Sequence, residues 1–457
     1  MGLIKTGILG LFIVYITSLY LRSGKNDYEK FPNTWWGPGK ENKEVDQSIR
    51  PFKVVFKDKD IEDLKFRLKN TRLSKPGLEG AAWTYGVPSQ ALPKIIDYWQ
   101  NKYNFKTRET YMNKYSQFVT NIQGLDIHFL HVKPKNAKGK KVLPLLLQHG
   151  WPGSVLEFYK IIPLLTNTKP EYDFVFEIIA PSLPGFGFSD PAIRPGLGGN
   201  EIAVVLKNLM LRLGFNKFYT QGGDWGAIIT SNLAAMFPQH VLGMHSNMCI
   251  VSSPWSFLKT YFFSFFPSLL LPEEDHHLMY PLGKHWASKL EESGYFHIQA
   301  TKPDTIGVAH SDSPIGLAAY ILEKFSTATN PDYRMKDDGG LFEKHTPDEL
   351  IDNLMYYWIP NTMTTAVRIY AETFNKKYLQ PGPHRAPINV PSACAQFRYE
   401  ISYQPECLLK ERYKNLLRAT KFPKGGHFAA MEEPQLLAED IWASVKLFEE
   451  AKKKESS

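Results

Sequence analysis

Four short apolar runs constrain this chain more than any other feature of its sequence: VLPLLLQHG (142–150), FVFEIIAPSL (174–183), KFYTQGGD (217–224) and LGMHSNMCI (242–250). Runs of this length without polar–apolar alternation describe strands buried on both faces, and such strands belong to parallel sheets covered by helices. A helix is legible between them. Ile202, Val205, Leu206, Leu209 and Leu213 recur at helical spacing, and Gly214 stands where a C-terminal cap belongs. The expected class is therefore α/β, built by a βαβ succession.

From about residue 251 to 385 the strand pattern stops and the chain turns aromatic and helical, as in SFLKTYFFSFFPSLLL, IGLAAYILEKFS and LIDNLMYYWI. A strand-like run resumes at NVPSACAQF (389–397), and an amphipathic helix from Pro434 to Glu450 closes the chain. This pattern is read as one sheet formed by 141–250 and 386–457, interrupted by a helical cap over 251–385. Residues 23–140, with helix-like stretches at Asp60–Lys69 and Leu92–Lys102, are an N-terminal extension.

The first segment, Gly7 to Leu21, is apolar and flanked by Lys5, Arg22 and Lys25. It is shorter than the ~20 residues of an ordinary spanning helix. No small-x-small cleavage site follows it, so residues 1–22 are expected to be a retained single anchor rather than a removed signal. The net charge of +8 is scattered. The basic runs at Lys138, Lys140, Lys141 and at Lys452, Lys453, Lys454 lack interleaved aromatics and read as solvated faces, with no nucleic-acid partner expected. Cys249, Cys394 and Cys407 show no CxxC spacing. Neither a disulfide nor a zinc site is expected from them, and a reducing compartment fits, as does the absence of an N-glycosylation sequon.

The chemistry concentrates where Gly222, Gly223, Asp224, Trp225 and Gly226 follow a strand and precede the helical AIITSNLAAMF. A strand, a tight turn and a helix with small residues around a nucleophile form the nucleophile elbow of α/β hydrolases. Aspartate at the nucleophile position changes the reaction class, because a carboxylate displaces at saturated carbon and leaves an alkyl ester. Taken alone, an aspartate after a strand is more often a helix cap; its ordered partners lift it out of that role. HGWPGS (149–154) directly follows the first core strand, where the loop supplying an oxyanion-hole amide belongs, so the backbone N–H groups of Trp151 and Trp225 are assigned as donors. His427, in KGGHFAAMEEP, lies after a strand and before the last helix, as the histidine of a nucleophile–acid–histidine triad should. The acid that orients it should follow the strand at 389–397. Glu400 is the first carboxylate there, with Glu406 and Asp352 as alternatives that spacing leaves open.

These residues resemble the microsomal epoxide hydrolase family, and the resemblance runs over essentially the whole chain. It is carried by WWGPG (35–39), SIRPFKV (48–54), HGWPGS, PSLPGFGFSD (181–190), GGDWG, TKPDT, DSPIGLAAYILEKFS and GGHFAAMEEP. Within that family the sequence looks more like the insect juvenile hormone epoxide hydrolases than the vertebrate detoxifying enzymes. The resemblance implies an α/β-hydrolase fold with an inserted helical cap, an N-terminal extension wrapped around core and cap, and attachment to the endoplasmic reticulum membrane facing the cytosol. It also implies two cap tyrosines that donate to the epoxide oxygen. The context GYxHIQxTKPDT puts the first at Tyr295, and VRIYAE puts the second at Tyr370. The expected partners are a lipophilic epoxide and water, with no cofactor and no metal.

Three other readings remain. A broad-specificity xenobiotic epoxide hydrolase would share every motif. A haloalkane dehalogenase would use the same elbow aspartate and following tryptophan, and differ in the cap. A membrane-tethered hormone-binding protein would retain the pocket without turnover. Phe262, Phe263, Phe265 and Phe266 suit lipophilic ligands, core packing or membrane contact equally.

Overall fold

The structure is a computed structural model, and it describes residues 31–41, 45–379 and 382–456. The apolar runs become the centre of a nine-stranded sheet in the order β1-β2-β3-β5-β4-β6-β7-β8-β9. The strands are β1 (Arg50–Phe52), β2 (Gln117–Ile122), β3 (Leu125–Val132), β4 (Lys141–Gln148), β5 (Phe174–Pro181), β6 (Phe218–Gly222), β7 (Val241–Ser246), β8 (Ser392–Phe397) and β9 (Leu416–Phe422). From β5 to β9 every pairing is parallel. The central strands β5, β6, β7 and β8 are nearly continuous in burial, Phe174 to Pro181 being interrupted only at Glu177, as a sheet with both faces covered requires.

The sheet extends further than the apolar runs indicate. The stretch before residue 141 supplies β1 and the β2–β3 hairpin, all antiparallel, and β3 pairs with β5. These strands sit toward one edge and carry interspersed polar residues such as Thr120, Asn121, Asp126 and His128, so they lack the uninterrupted apolar signal of the centre. Gly124, in the left-handed region at φ 87°, makes the two-residue turn of the hairpin with Gln123. The helix at Gly199–Arg212 ends before Gly214, which has φ 87°. The C-terminal helix runs from Pro434 to Ser456, longer than its apolar pattern indicated.

Between β7 and β8 the chain leaves the sheet to build the helical cap, which includes helices Leu282–Glu292, Gly294–Thr301, Pro303–Asp312, Pro314–Thr327, Pro347–Trp358 and Met363–Thr373. The helix Pro347–Trp358 starts with a capping box in which Thr346 and Glu349 satisfy each other's backbone donors. It pins the cap to the core: Asn353 Nδ2 donates to the Pro152 carbonyl at 2.7 Å, and the Tyr357 hydroxyl donates to the Gly153 carbonyl at 2.7 Å.

One expectation from the cysteines is overturned. Cys249 and Cys394 form a disulfide, with Cα atoms 5.8 Å apart and a sequence separation of 145 residues. Spacing along the chain carries no trace of the pair, because the pairing of β7 with β8 across the cap insertion brings the two together, with Ser246 opposite Cys394. The reducing compartment inferred from unpaired cysteines loses its basis. Cys407 is free and exposed. The expected anchor at residues 1–22 lies outside the described residues; among the described residues no helix is long and apolar enough to cross a membrane.

Candidate active site

β6 delivers Asp224 to the carboxyl end of the sheet, and the helix Trp225–Met236 leaves at once. The turn between them holds Asp224 at φ 50° and ψ −127°, a backbone conformation that a non-glycine residue keeps only when its surroundings impose it. The side chain is thereby lifted above the strand ends. Its Oδ1 accepts a hydrogen bond from the Trp151 backbone N–H at 2.7 Å. A Cβ on Gly150 would stand 2.0 Å from that same oxygen, so the loop can approach the carboxylate only because residue 150 is glycine. His149 fixes the loop from below. Its Nδ1 meets the Gly150 carbonyl at 3.0 Å and its Nε2 accepts from Leu183 N–H at 3.1 Å. Burial lowers its pKa to about 4, so the ring is neutral, as those two bonds require.

His427 stands opposite. Its Nε2 lies 3.2 Å from Asp224 Oδ2 and its Nδ1 2.7 Å from Glu400 Oε1. Burial alone would strip the imidazole of its proton, but the Glu400 and Asp224 carboxylates outweigh it and hold the pKa well above the ordinary value. The ring therefore donates to both. Glu400 Oε1 also accepts from the Ile401 backbone N–H at 2.7 Å. The two alternatives for this acid lie elsewhere. Glu406 is exposed and paired with Lys410 at 2.6 Å. Asp352 is buried in the seam with the N-terminal extension, where Arg108 Nε and the Tyr103 hydroxyl reach it at 3.0 and 2.8 Å.

Two glutamates, Glu432 buried and Glu157 partly exposed, belong to this neighbourhood without a sequence motif to announce them. Glu432 accepts the backbone N–H groups of Gly426 at 2.6 Å and Phe428 at 2.8 Å, the residues on either side of His427. It thus fixes the loop that presents the ring. Burial raises its pKa to about 7, and the two amides oppose the rise. Glu157 lies close under Asp224, an acid isolated among apolar residues in SVLEFYKII.

The cap covers this group with aromatic rings. Trp151 stacks on Tyr295 with centroids 5.3 Å apart and meets Tyr370 edge-on at 6.0 Å. Tyr370 also stands edge-on to the Trp225 ring at 4.7 Å, and the two tyrosines are 6.2 Å apart. Burial raises the pKa of both phenols, and the Asp224 carboxylate adds to the rise, so both hydroxyls keep their protons. Trp225 is the first residue of its helix, where backbone N–H groups have no intrahelical acceptor. A cavity of about 470 Å³, lined by Trp151, Tyr295, Phe296, Glu400, His427 and Phe428, opens between cap and core. Among the described residues no group of three His, Cys, Asp or Glu side chains is placed to hold a metal ion.

The parallel sheet, the elbow and the cap inserted after the strand that follows it define an α/β hydrolase. Residues 144–269 match the alpha/beta hydrolase fold family, and residues 49–158 match the family described as Epoxide hydrolase N terminus. Juvenile hormone epoxide hydrolase 1 of Ctenocephalides felis is 53% identical over 93% of this chain and 91% of its own length. Epoxide hydrolase 1 of Sus scrofa is 43% identical over 98% of this chain and 99% of its own. The crystal structure of juvenile hormone epoxide hydrolase from the silkworm Bombyx mori superimposes with a TM-score of 0.90 at 47% identity, covering 92% of this chain and 99% of that one. The chain belongs to the epoxide hydrolase family, and within it stands nearer the insect relatives than the mammalian one.

Proposed function

We propose that this enzyme opens a lipophilic epoxide, juvenile hormone in the first place, to the vicinal diol through an ester on Asp224. The observation that carries the reading is one constellation: Asp224 bonded to the Trp151 amide and to His427, His427 bonded to Glu400, and two protonated cap tyrosines facing them. The insect relatives named as juvenile hormone epoxide hydrolases, 53% and 47% identical, support that substrate.

The carboxylate of Asp224 attacks one epoxide carbon from behind. The C–O bond of the ring breaks, and a proton from Tyr295 or Tyr370 goes to the departing oxygen, so charge is neutralised as it develops. Esterification also removes the Asp224 charge from His427, and with it one of the two causes that keep the imidazole protonated. The ring then loses its proton more readily, to the tyrosinate left by the first step, and becomes a base. Held by Glu400, His427 takes a proton from water, whose oxygen bonds to the Asp224 carbonyl carbon while the Trp151 and Trp225 amides hold the oxyanion. The ester C–O bond breaks, the alkoxide takes the proton from His427, and the regenerated Asp224 acid returns its proton to His427, restoring the carboxylate and the imidazolium.

Turnover of a sesquiterpenoid epoxide ester against styrene oxide tests the substrate; kcat/KM at least tenfold higher for the former is expected, and equal values would assign a broad detoxifying role. Halide release from chloroalkanes would overturn the epoxide reading. We further propose that Gly7–Leu21 anchors the enzyme in the endoplasmic reticulum membrane with its catalytic part toward the cytosol. The Cys249–Cys394 bond is compatible with that side, since Cys249 is 4% exposed and Cys394 wholly buried, out of reach of soluble thiols. Protection of the catalytic part from protease in sealed microsomes would reverse the orientation.

A further inference from the structure

Beneath the nucleophile, a second and much smaller cavity of about 10 Å³ is enclosed by Asp224, His427, Glu157, Gln221 and Asn247, with Phe158 and Phe428 among its apolar walls. That is about the volume the centre of one water molecule needs, and the lining supplies several polar groups of the kind that hold a buried water. Two glycines of the HGWPGS loop make the cavity possible. Gly150 lets the loop meet Asp224, and a Cβ on Gly153 would lie 1.5 Å from Glu157 Oε1, so the glutamate folds back over its own loop toward the nucleophile. The cap holds this arrangement, since the Tyr357 hydroxyl donates to the Gly153 carbonyl at 2.7 Å.

We infer that Glu157 is the residue that positions the hydrolytic water: its carboxyl group holds one side of a water in this cavity while His427 Nε2 holds the other. The inference rests on the roles proposed above for Asp224 and His427. A water held between those two groups has its remaining lone pair free for the Asp224 carbonyl carbon, which lines the same cavity.

The protonation state of Glu157 fits the task. The Ser154 backbone N–H donates to its carboxyl group; burial pushes its pKa up to about 8, with His427 and that amide opposing the rise and Asp224 adding to it. The titratable groups that face it are His427, Asp224 and Glu432, together with the Tyr357 phenol from the cap. At neutral pH the group is mainly a neutral acid, which offers a carbonyl acceptor and a hydroxyl donor. A neutral acid adds no charge beside Asp224 during the first step, when that carboxylate must attack. In the second step the bonds change only at the water, His427 and the ester: the water oxygen bonds to Cγ of Asp224, its proton passes to Nε2, and Glu157 keeps its own proton throughout.

The experiment separates the two steps. Wild type, Glu157→Leu, Glu157→Gln and His427→Gln are mixed in excess with styrene oxide. Ester on Asp224 is followed by mass spectrometry of quenched samples, and diol is followed in parallel. Glu157→Leu is expected to form the ester within about threefold of the wild-type rate and to hydrolyse it about 10²-fold more slowly, the usual loss for one positioned polar group. Glu157→Gln, which keeps an acceptor and a donor, is expected to hydrolyse within about tenfold of wild type and to lose the decline in the hydrolytic rate above about pH 8. Hydrolysis at the wild-type rate in Glu157→Leu overturns the inference. A parallel fall of both steps in Glu157→Leu and Glu157→Gln also overturns it, by assigning Glu157 a structural role. Absence of accumulated ester in His427→Gln would instead defeat the reading of His427 as the base, independently of Glu157.

Discussion

The two sides of the active site are built on different principles. On the core side each group proposed to react stands beyond a strand end, and backbone hydrogen bonds hold the loops around it: the Trp151 amide on Asp224, and Glu432 on the amides flanking His427. On the cap side, Tyr295 and Tyr370 ride on helices and are located by rings packed against rings. The segment that opens the cap, from the helix Pro254–Phe263 to Phe266, is packed less closely still. Trp255, Phe257, Tyr261, Phe262, Phe265 and Phe266 are each between 48% and 65% exposed. Core packing, one of the three readings of those aromatics, is therefore excluded for most of them. A site fixed by backbone geometry on one side and by side-chain packing on the other can keep its nucleophile rigid while its cover adapts to substrate.

The largest effect expected spans both sides. His128 and His149 in the core, and His310, His345 and His384 in the cap and its return, are buried, and burial lowers their pKa values to about 3, 4, 4, 4 and 3. The unfolded chain binds protons at these positions near pH 6.5 and the folded one does not, so the stability they confer is fully present above about pH 6.5 and is lost as pH falls through 4 toward 3. Between pH 7.5 and 5.5 the raised pKa values of Glu157, Glu432 and His427 oppose this loss, because there the folded state binds the extra protons, so the fall in the urea midpoint should show between pH 5.5 and pH 4.5. If the cap is the looser unit, tryptophan fluorescence should report its opening before far-ultraviolet dichroism reports loss of the sheet; coincident transitions would make core and cap one cooperative body.

Next in size is the loss of a cap donor. Tyr295→Phe removes one hydroxyl facing the developing alkoxide and should lower the rate of ester formation about 10²–10³-fold. Its effect on ester hydrolysis should be small, and equal losses in both steps would place Tyr295 on the core side of the mechanism. Glu432→Ala leaves two buried N–H groups without acceptors and should destabilise the fold by about 1–3 kcal/mol. It should also slow hydrolysis more than ester formation, because the loop it holds carries His427; an unchanged midpoint in urea would contradict the bracing role. Phe265→Ser, at a position 65% exposed, should change stability by no more than about 0.5 kcal/mol and leave turnover of styrene oxide unaltered.

How much of this could be read from the chain follows the same division. The elbow, the HGWPGS loop and the histidine loop were legible because each is a local pattern whose glycines and order reflect backbone geometry. The orienting acid was only half legible. Glu400, Glu406 and Asp352 are equivalent by spacing, and only the packing that commits Asp352 to Arg108 and leaves Glu406 on the surface singles out Glu400. Tyr295 and Tyr370 are two of 23 tyrosines, distinguishable by motif context but not by any property of the residue. The edge strands β1 to β3 alternate too weakly to declare themselves. The Cys249–Cys394 bond was invisible because it depends on which strands become neighbours across a sequence separation of 145 residues. Glu157 and Glu432 escaped because their surroundings are backbone amides and a cavity, neither of which leaves a pattern in sequence.

The central claim is that core and cap perform separate steps joined by an ester on Asp224. Peptide mapping of His427→Gln after reaction with an isotopically labelled epoxide tests it most directly. The account expects stoichiometric label on the peptide carrying Asp224, formed in one rapid phase and released on a scale of hours. No label on that peptide, with diol still released, would contradict it.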